Sequence, residues 1–185
     1  MLKDMIGRVR RYTDHPDPVA KAAGTIAMVV ASNQPFYPLY LYAIVGQQAW
    51  PSWLTLLSTP FFVAVPAVAR RHSLAGRALL PIAGVANTIL CVKLIGVKTA
   101  VELFLFPCIL LAGILFRSDE RIVMVPVLLL PFAAYLFLDR MLGPPLQAFN
   151  TDSYGSIVTL HAMSVASLTA LMGILFASIL SGRRT

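Results

Sequence analysis

The chain has 185 residues, of which 58% are hydrophobic and only 12% charged, and its mean hydropathy is +0.77. Soluble domains are about 45–50% apolar and about 25% charged, so this composition excludes an ordinary water-soluble fold. The net charge of +7 does not indicate a nucleic-acid module, because the basic residues lie between long apolar runs instead of clustering on one polar face. The sequence therefore predicts an integral membrane protein that has the lipid bilayer, and no nucleic acid, as its partner.

Residues 1–17 form the first predicted element. Apolar residues recur there at helical spacing, opposite the basic residues: Leu2, Met5, Ile6 and Val9. This pattern favours a short amphipathic helix on the cytoplasmic membrane surface. Asp17 and Pro18 then supply an N-cap and a first-turn proline for the first membrane helix. We expect no cleaved signal peptide, because the apolar run starts late and no cleavage pattern follows a short apolar region.

Six apolar runs follow within residues 18–181, and each has about the length that a membrane helix needs. They are Val19–Val45, Pro51–Ala69, Ala78–Ile95, Lys98–Phe116, Ile122–Leu138 and Tyr154–Leu180. Strands with open edges would leave backbone groups unsatisfied in hydrocarbon, and the alternation typical of a β-barrel is missing from the sequence. The predicted fold is an all-α bundle of six transmembrane helices, with residues 182–185 as a cytoplasmic tail.

The distribution of lysine and arginine predicts the orientation of this bundle. Twelve of the fifteen lie in the termini or in the loops after the second and fourth runs, and the other side has only Lys93, Lys98 and Arg140. Because basic loops stay in the cytoplasm, both termini are predicted to be cytoplasmic. The positive charge then reflects topology and attraction to anionic lipid.

Polar residues in the predicted outer half of the first run are the first candidates for a binding site. Asn33, Tyr37 and Tyr40 share a helical face, Gln34 lies beside it, and two prolines interrupt the backbone there. One interpretation is an aromatic-lined ligand pocket. The other is hydrogen bonding between helices, for which buried Asn and Tyr are common.

Three further candidates lie in later runs. Lys93 and Glu102 flank a tight hairpin and are expected at similar depth, so they predict either a structural ion pair or a ligand or proton contact. His161 lies about two turns into the last run. Its imidazole suits either a ligand contact or a satisfied packing position.

Signatures of catalysis and of cofactor binding are missing from the sequence. It contains no CxxC, no nucleophile elbow and no phosphate-binding glycine loop, so we expect no cofactor, no metal and no catalytic activity of its own. Cys91 and Cys108 are predicted to be buried free thiols. The last run carries small residues at nearly every fourth position, which suit packing within the bundle or the seam of a homodimer.

The second half of the chain resembles a known class of membrane domain. The resemblance rests on Val101-Glu102-Leu103-Phe104-Leu105-Phe106-Pro107-Cys108 and on Leu115-Phe116-Arg117-Ser118-Asp119-Glu120-Arg121, followed by two more apolar runs. This order resembles the six-helix membrane domains that precede class III adenylyl cyclases in bacteria. It is also similar in layout to the six-helix sensors of autoinducer-detecting histidine kinases.

The resemblance implies a sensor in a bacterial inner membrane that binds a small or lipophilic ligand and signals through its last helix, usually as a dimer. Residues 1–185 do not themselves include a cyclase or kinase domain. The sequence is therefore expected to be an anchor domain of a longer protein or a stand-alone relative. The predicted ligand contacts are Asn33, Gln34, Tyr37, Tyr40, Lys93, Glu102 and His161. The alternative is a small transporter or its substrate-binding subunit, suggested by the proline pairs of the second and fifth runs.

Overall fold

The computed structural model describes residues 2–182 and confirms the all-helical prediction, since these residues form helices and connecting turns without a strand. The α-helices are α1 (Leu2–Thr13), α2 (Pro18–Asn33), α3 (Tyr37–Val45), α4 (Thr59–Arg71), α5 (Ser73–Ile95), α6 (Leu105–Ile114), α7 (Arg121–Leu142) and α8 (Thr151–Gly182). Segments of 3₁₀ helix lie between some of them: Gln34–Phe36, Gly46–Ser58, Val97–Thr99, Val101–Phe104 and Ser118–Glu120. Of the predicted tail, residues 183–185 lie outside the described residues.

Four helical stretches within residues 2–182 are long and apolar enough to cross a membrane. They are Pro18–Arg71, Ser73–Ile95, Ser118–Leu138 and Thr151–Ser181, and Val101–Ile114 is a shorter apolar helix. The first stretch turns back on itself, because α2 packs against α4. The described residues are therefore all-helical and include several helices that could cross a membrane, as the composition predicts.

The two ends of the bundle are chemically different. One end, called here the Arg77 end, brings together the start of α2, the start of α5 and the loop before α7. The opposite Lys93 end holds the last turn of α5 and the loop between α7 and α8, whose Leu146 and Gln147 N–H groups donate to the carbonyls of Lys93 and Leu94. These bonds satisfy helix-end carbonyls that would otherwise lack partners.

The helix from Pro18 to Val45 is interrupted where the sequence predicts a break. Pro35 and Pro38 lack a backbone N–H, so an α-helical ladder cannot run through them, and a single 3₁₀ turn (Gln34–Phe36) joins α2 to α3. Of the polar residues at this break, Gln34 is buried in the interior of the bundle, whereas Asn33 is exposed.

The segment Gly46–Ser58 is wound as a long 3₁₀ helix and buries every third residue from Ala49 onward: Ala49, Ser52, Thr55 and Ser58. Residues three apart are eclipsed in a 3₁₀ helix, so these four form one stripe. Each hydroxyl donates to the carbonyl three residues earlier, at 2.6–2.8 Å. The hydroxyls therefore cross the bundle interior without unsatisfied protons.

Helix α5 is the centre of the bundle and packs against α2, α4, α6 and α7. Its closest neighbour is α4, at Gly76. A Cβ at this glycine would lie only 2.5 Å from the Cα of Ala69. Because no side chain fits such a gap, the crossing of α4 and α5 depends on glycine at this position.

Helix α8 lies at the edge of the bundle. Among its described residues only Ile157, His161 and Met172 are buried. The small residues at nearly every fourth position all face outward and are exposed: Ala162, Ala166, Ala170, Gly173, Ala177 and Ser181. Packing within the bundle, one of the two sequence interpretations of this stripe, is therefore not what the structure has.

Helix α1 confirms the helix predicted for the N-terminal segment and docks on α4. Tyr12 Oη donates to the carbonyl of Val63 at 2.8 Å. Arg70 donates to the carbonyls of Arg11 and Tyr12 and stacks over the Tyr12 ring, 5.1 Å from its centroid. These contacts fix the last turn of α1 at the Arg77 end.

Candidate ligand cavity

A cavity of about 660 Å³ lies between α2, α3, α5, α6 and α8. Pockets of roughly 300–1,000 Å³ accommodate small organic ligands. Its apolar wall comes from α2, α4, α5, α6 and α8 and includes Ile26, Val30, Phe62, Leu80, Leu111, Leu168 and Met172. Among the described residues that line it there is no Asp, Glu, Lys, Arg or His. Its polarity therefore comes from amides and hydroxyls alone.

The mouth of the cavity lies between α2–α3 and α8. Lining residues on both sides are strongly exposed: Phe36 at 51% and Tyr40 at 45% on one side, and Met163 at 63% on the other. Apolar surface of this kind on the flank of a membrane bundle faces acyl chains. The cavity therefore opens on the side of the helical bundle and not at one of its ends.

A chain of hydrogen bonds crosses the polar wall of the cavity. Gln34 Nε2 donates to Ser58 Oγ at 2.8 Å, and Ser58 Oγ lies 2.7 Å from Asn87 Oδ1. The three side chains come from three different elements: the break after α2, the 3₁₀ segment and α5. These hydrogen bonds therefore fix the position of the break after α2 relative to α5.

A second polar contact connects the cavity wall to α8. His161 is completely buried, its Nδ1 lies 2.7 Å from the carbonyl oxygen of Thr99, and its Nε2 lies 3.0 Å from Tyr37 Oη. A carbonyl only accepts hydrogen bonds, so Nδ1 carries the proton. Nε2 then accepts from the Tyr37 hydroxyl, and the neutral imidazole has both nitrogens satisfied.

The structure brings together most of the sequence-predicted contacts. Asn33, Gln34, Tyr37 and Tyr40 line the cavity. His161 lies directly behind Tyr37 and does not itself reach the cavity.

Lys93 and Glu102 do not line the cavity. Lys93 Nζ donates to the carbonyls of Leu142 and Pro144 at 2.9 and 3.0 Å, which caps the end of α7. Glu102 is half-buried in the 3₁₀ segment before α6. The common outer pocket expected from all seven residues is therefore formed by the residues of the first run, with His161 behind them.

The sequence did not reveal which residues of other helices line the cavity together with the first apolar run. Asn87, Thr88, Ser164 and Ser167 also line the cavity, and Ser58 connects Gln34 to Asn87. The three-residue spacing of Ala49, Ser52, Thr55 and Ser58 is the sequence signal that could have predicted a buried Ser58. Both cysteines are free and buried as predicted, and both lie in the cavity wall.

A cluster of charged side chains closes the Arg77 end. Arg77 is only 2% exposed and donates to both carboxylate oxygens of Glu120, with Nη1 to Oε2 at 2.7 Å. Nη1 also donates to the carbonyl of Leu115 at 2.6 Å. Asp17 joins through Ser73 Oγ at 3.0 Å and Arg117 Nη2 at 3.3 Å. Asp119 is exposed, whereas the neighbouring Glu120 is partly buried by these bonds.

Asp17 caps α2 by accepting from the N–H of Val19 at 3.0 Å. Partial burial alone would raise the pKa of the Asp17 carboxyl. The bonds from Ser73 and Val19 and the charges of Arg117 and Arg77 outweigh it, so the pKa lies below its ordinary value of 3.8. Asp17 is therefore ionised at neutral pH.

Within residues 2–182, no three His, Cys, Asp or Glu side chains are grouped as metal ligands would be. No protein-family model, no curated protein and no solved structure matches this chain. The cavity is therefore the feature of this chain that indicates a function.

Proposed function

We propose that this chain is a membrane sensor domain that binds a small lipophilic ligand in the cavity and signals through α8. The observation that carries the proposal is the contact between Tyr37, which lines the cavity, and His161, the buried polar residue of α8. A ligand head that takes the Tyr37 hydroxyl would leave His161 Nε2 without a partner. Because an unpaired buried acceptor is unfavourable, α8 would then repack.

The proposal includes six membrane crossings with both termini in the cytoplasm. Pro18–Arg71 supplies two crossings, because it turns back on itself. Val101–Ile114 supplies one crossing together with the preceding 3₁₀ turn, Val97–Thr99. The Arg77 end carries most of the basic residues, so the positive-inside rule puts it in the cytoplasm. The resemblance to cyclase-associated domains suggests a bacterial inner membrane.

The partner of α8 in this proposal is a second copy of the chain. The outward face of α8 carries the exposed small residues described above, and such faces allow close approach of two helices. In a variant without native cysteines, Ala170→Cys should form a disulfide-linked dimer in membranes. Leu129→Cys, on the exposed face of α7, is the control. Equal cross-linking at both positions would contradict a specific α8 seam.

The signalling step is tested by pulsed electron–electron distance measurements. Spin labels at Ser181 in α8 and Arg121 in α7 report the position of the α8 end. Adding 1-monododecanoylglycerol to the nanodisc-embedded protein should shift the distance distribution. Tyr37→Phe should already show the shifted distribution and should not respond. An unchanged distribution with the amphiphile bound would refute signalling through α8.

The transporter alternative requires a path marked by Glu102 and His161, and neither residue lines the cavity. This geometry favours sensing. Solute flux in liposomes that Glu102→Gln abolishes would instead support transport.

A further inference from the structure

We infer that the cavity selects an amphiphile with one chain and an uncharged head that both donates and accepts hydrogen bonds. The inference rests on the proposed function, because it names the ligand class of the same cavity. It depends on the charge of the lining, the unused hydrogen-bonding groups and the position of the mouth.

The lining disfavours a charged head. Within the described residues no side chain that lines the cavity is charged, and the nearby His161 uses its two ring nitrogens on the Thr99 carbonyl and the Tyr37 hydroxyl. The charged residues of the Arg77 cluster already bind one another. A phosphate or an ammonium group would lose its hydration here and find no opposite charge, which costs far more than burying a neutral polar group.

Two amides leave hydrogen-bonding capacity unused at the cavity. Asn87 uses one end of its amide on Ser58 Oγ, at 2.7 Å, while the other end makes no hydrogen bond to the described residues. The Asn33 side chain lines the mouth and makes none either. Hydrocarbon cannot satisfy these groups. Because an amide both donates and accepts, its complement is a head with a hydroxyl or an amide group.

The shape fits one chain. The apolar wall continues from these amides past Ile26 and Leu80 to Met172, and the volume of about 660 Å³ is that of a single small-molecule site. Since the mouth faces acyl chains, the ligand would enter from the bilayer and leave its head at the level of Asn33 and Asn87.

The test is a competition among three amphiphiles with the same twelve-carbon chain: 1-monododecanoylglycerol, dodecylphosphate and dodecyltrimethylammonium. Each is added to the full chain in nanodiscs at equal mole fraction, and retained ligand is counted by native mass spectrometry. The neutral amphiphile should be retained about fivefold or more over both others, the ratio that one net hydrogen bond gives. Asn87→Leu should lower retention of the neutral amphiphile about fivefold, the factor that one net hydrogen bond gives, and both charged amphiphiles should stay poorly retained. Gln48→Leu, an exposed residue outside the cavity, should leave it unchanged.

A second pair of variants locates the bound molecule without disturbing the core. Ser167→Trp puts a large ring at the mouth and should abolish retention. Thr169→Trp, at an exposed position of α8 outside both the cavity lining and the row of small residues, should not. Preferential retention of a charged amphiphile would overturn the inference and leave the proposed function intact. Retention of none of the three would overturn both.

Discussion

The Arg77 cluster and the cavity both contain polar side chains in an apolar protein, yet they are built in opposite ways. At the Arg77 end a buried guanidinium meets a carboxylate and a carbonyl, and its charge is neutralised within the cluster. The cavity holds only neutral groups and keeps amide capacity unused. A group of charges that satisfies itself stabilises one arrangement, whereas neutral groups with spare capacity leave room for a ligand.

The largest effect is expected from Arg77→Met. Removing one partner of a buried ion pair leaves the other charge uncompensated, so the free energy of unfolding should fall by about 3–5 kcal/mol. Unfolding by dodecyl sulfate in mixed micelles measures it. Arg121→Met removes an exposed arginine and serves as the control. Equal losses in the two variants would show that the cluster contributes nothing beyond surface charge.

The next effect concerns the crossing that holds α4 against α5. Gly76→Ala would put a methyl group 2.5 Å from the Ala69 Cα and should destabilise the protein by about 1–3 kcal/mol. Gly113→Ala is a matched control, because a Cβ there meets nothing within 4 Å. The same unfolding titration compares them. No difference between the two alanine variants would contradict the close approach.

The cavity network should be less sensitive than the cluster. Ser58→Ala breaks the connection between Gln34 and Asn87, and the loss of neutral hydrogen bonds should cost about 1 kcal/mol. Ser178→Ala, which removes an exposed hydroxyl bonded within its own helix, should be nearly neutral. A loss at Ser58 as large as that at Arg77 would remove the distinction between the two regions.

The smallest effect is the pH dependence of the Arg77 end. Because the pKa of Asp17 in the folded protein lies below 3.8, its stabilisation is complete above about pH 4 and is lost as the pH falls through the folded value. Asp17→Asn should flatten the acid limb of stability against pH by less than about 1 kcal/mol, since Asp17 is near the surface. Ser58→Ala should keep the wild-type slope. An unchanged slope in Asp17→Asn would assign the acid limb to other groups.

Local signals in the sequence predicted much of the cavity. The apolar runs predict the helices, and Pro35 and Pro38 predict the break that turns Gln34 and Tyr37 inward. These signals are local because helix formation and proline geometry act within a few residues.

Contacts between distant residues could not be read from the sequence. Arg77 and Glu120 are 43 positions apart, and Tyr37 and His161 are 124 apart. Lys93 Nζ donates to the carbonyls of Leu142 and Pro144, which lie 49 and 51 positions later in the sequence. Which loop covers a helix end is decided by tertiary packing, which periodicity does not report.

The buried stripe from Ala49 to Ser58 repeats every three residues, so the direction in which each of its side chains points depends on the number of residues before it. Deleting one residue within it would rotate everything on the far side by about a third of a turn. The Ser58 hydroxyl would then point away from Gln34 and Asn87, although no residue of the cavity had been changed. The number of residues in this 3₁₀ segment therefore determines the structure of the cavity as much as the chemistry of the cavity walls does.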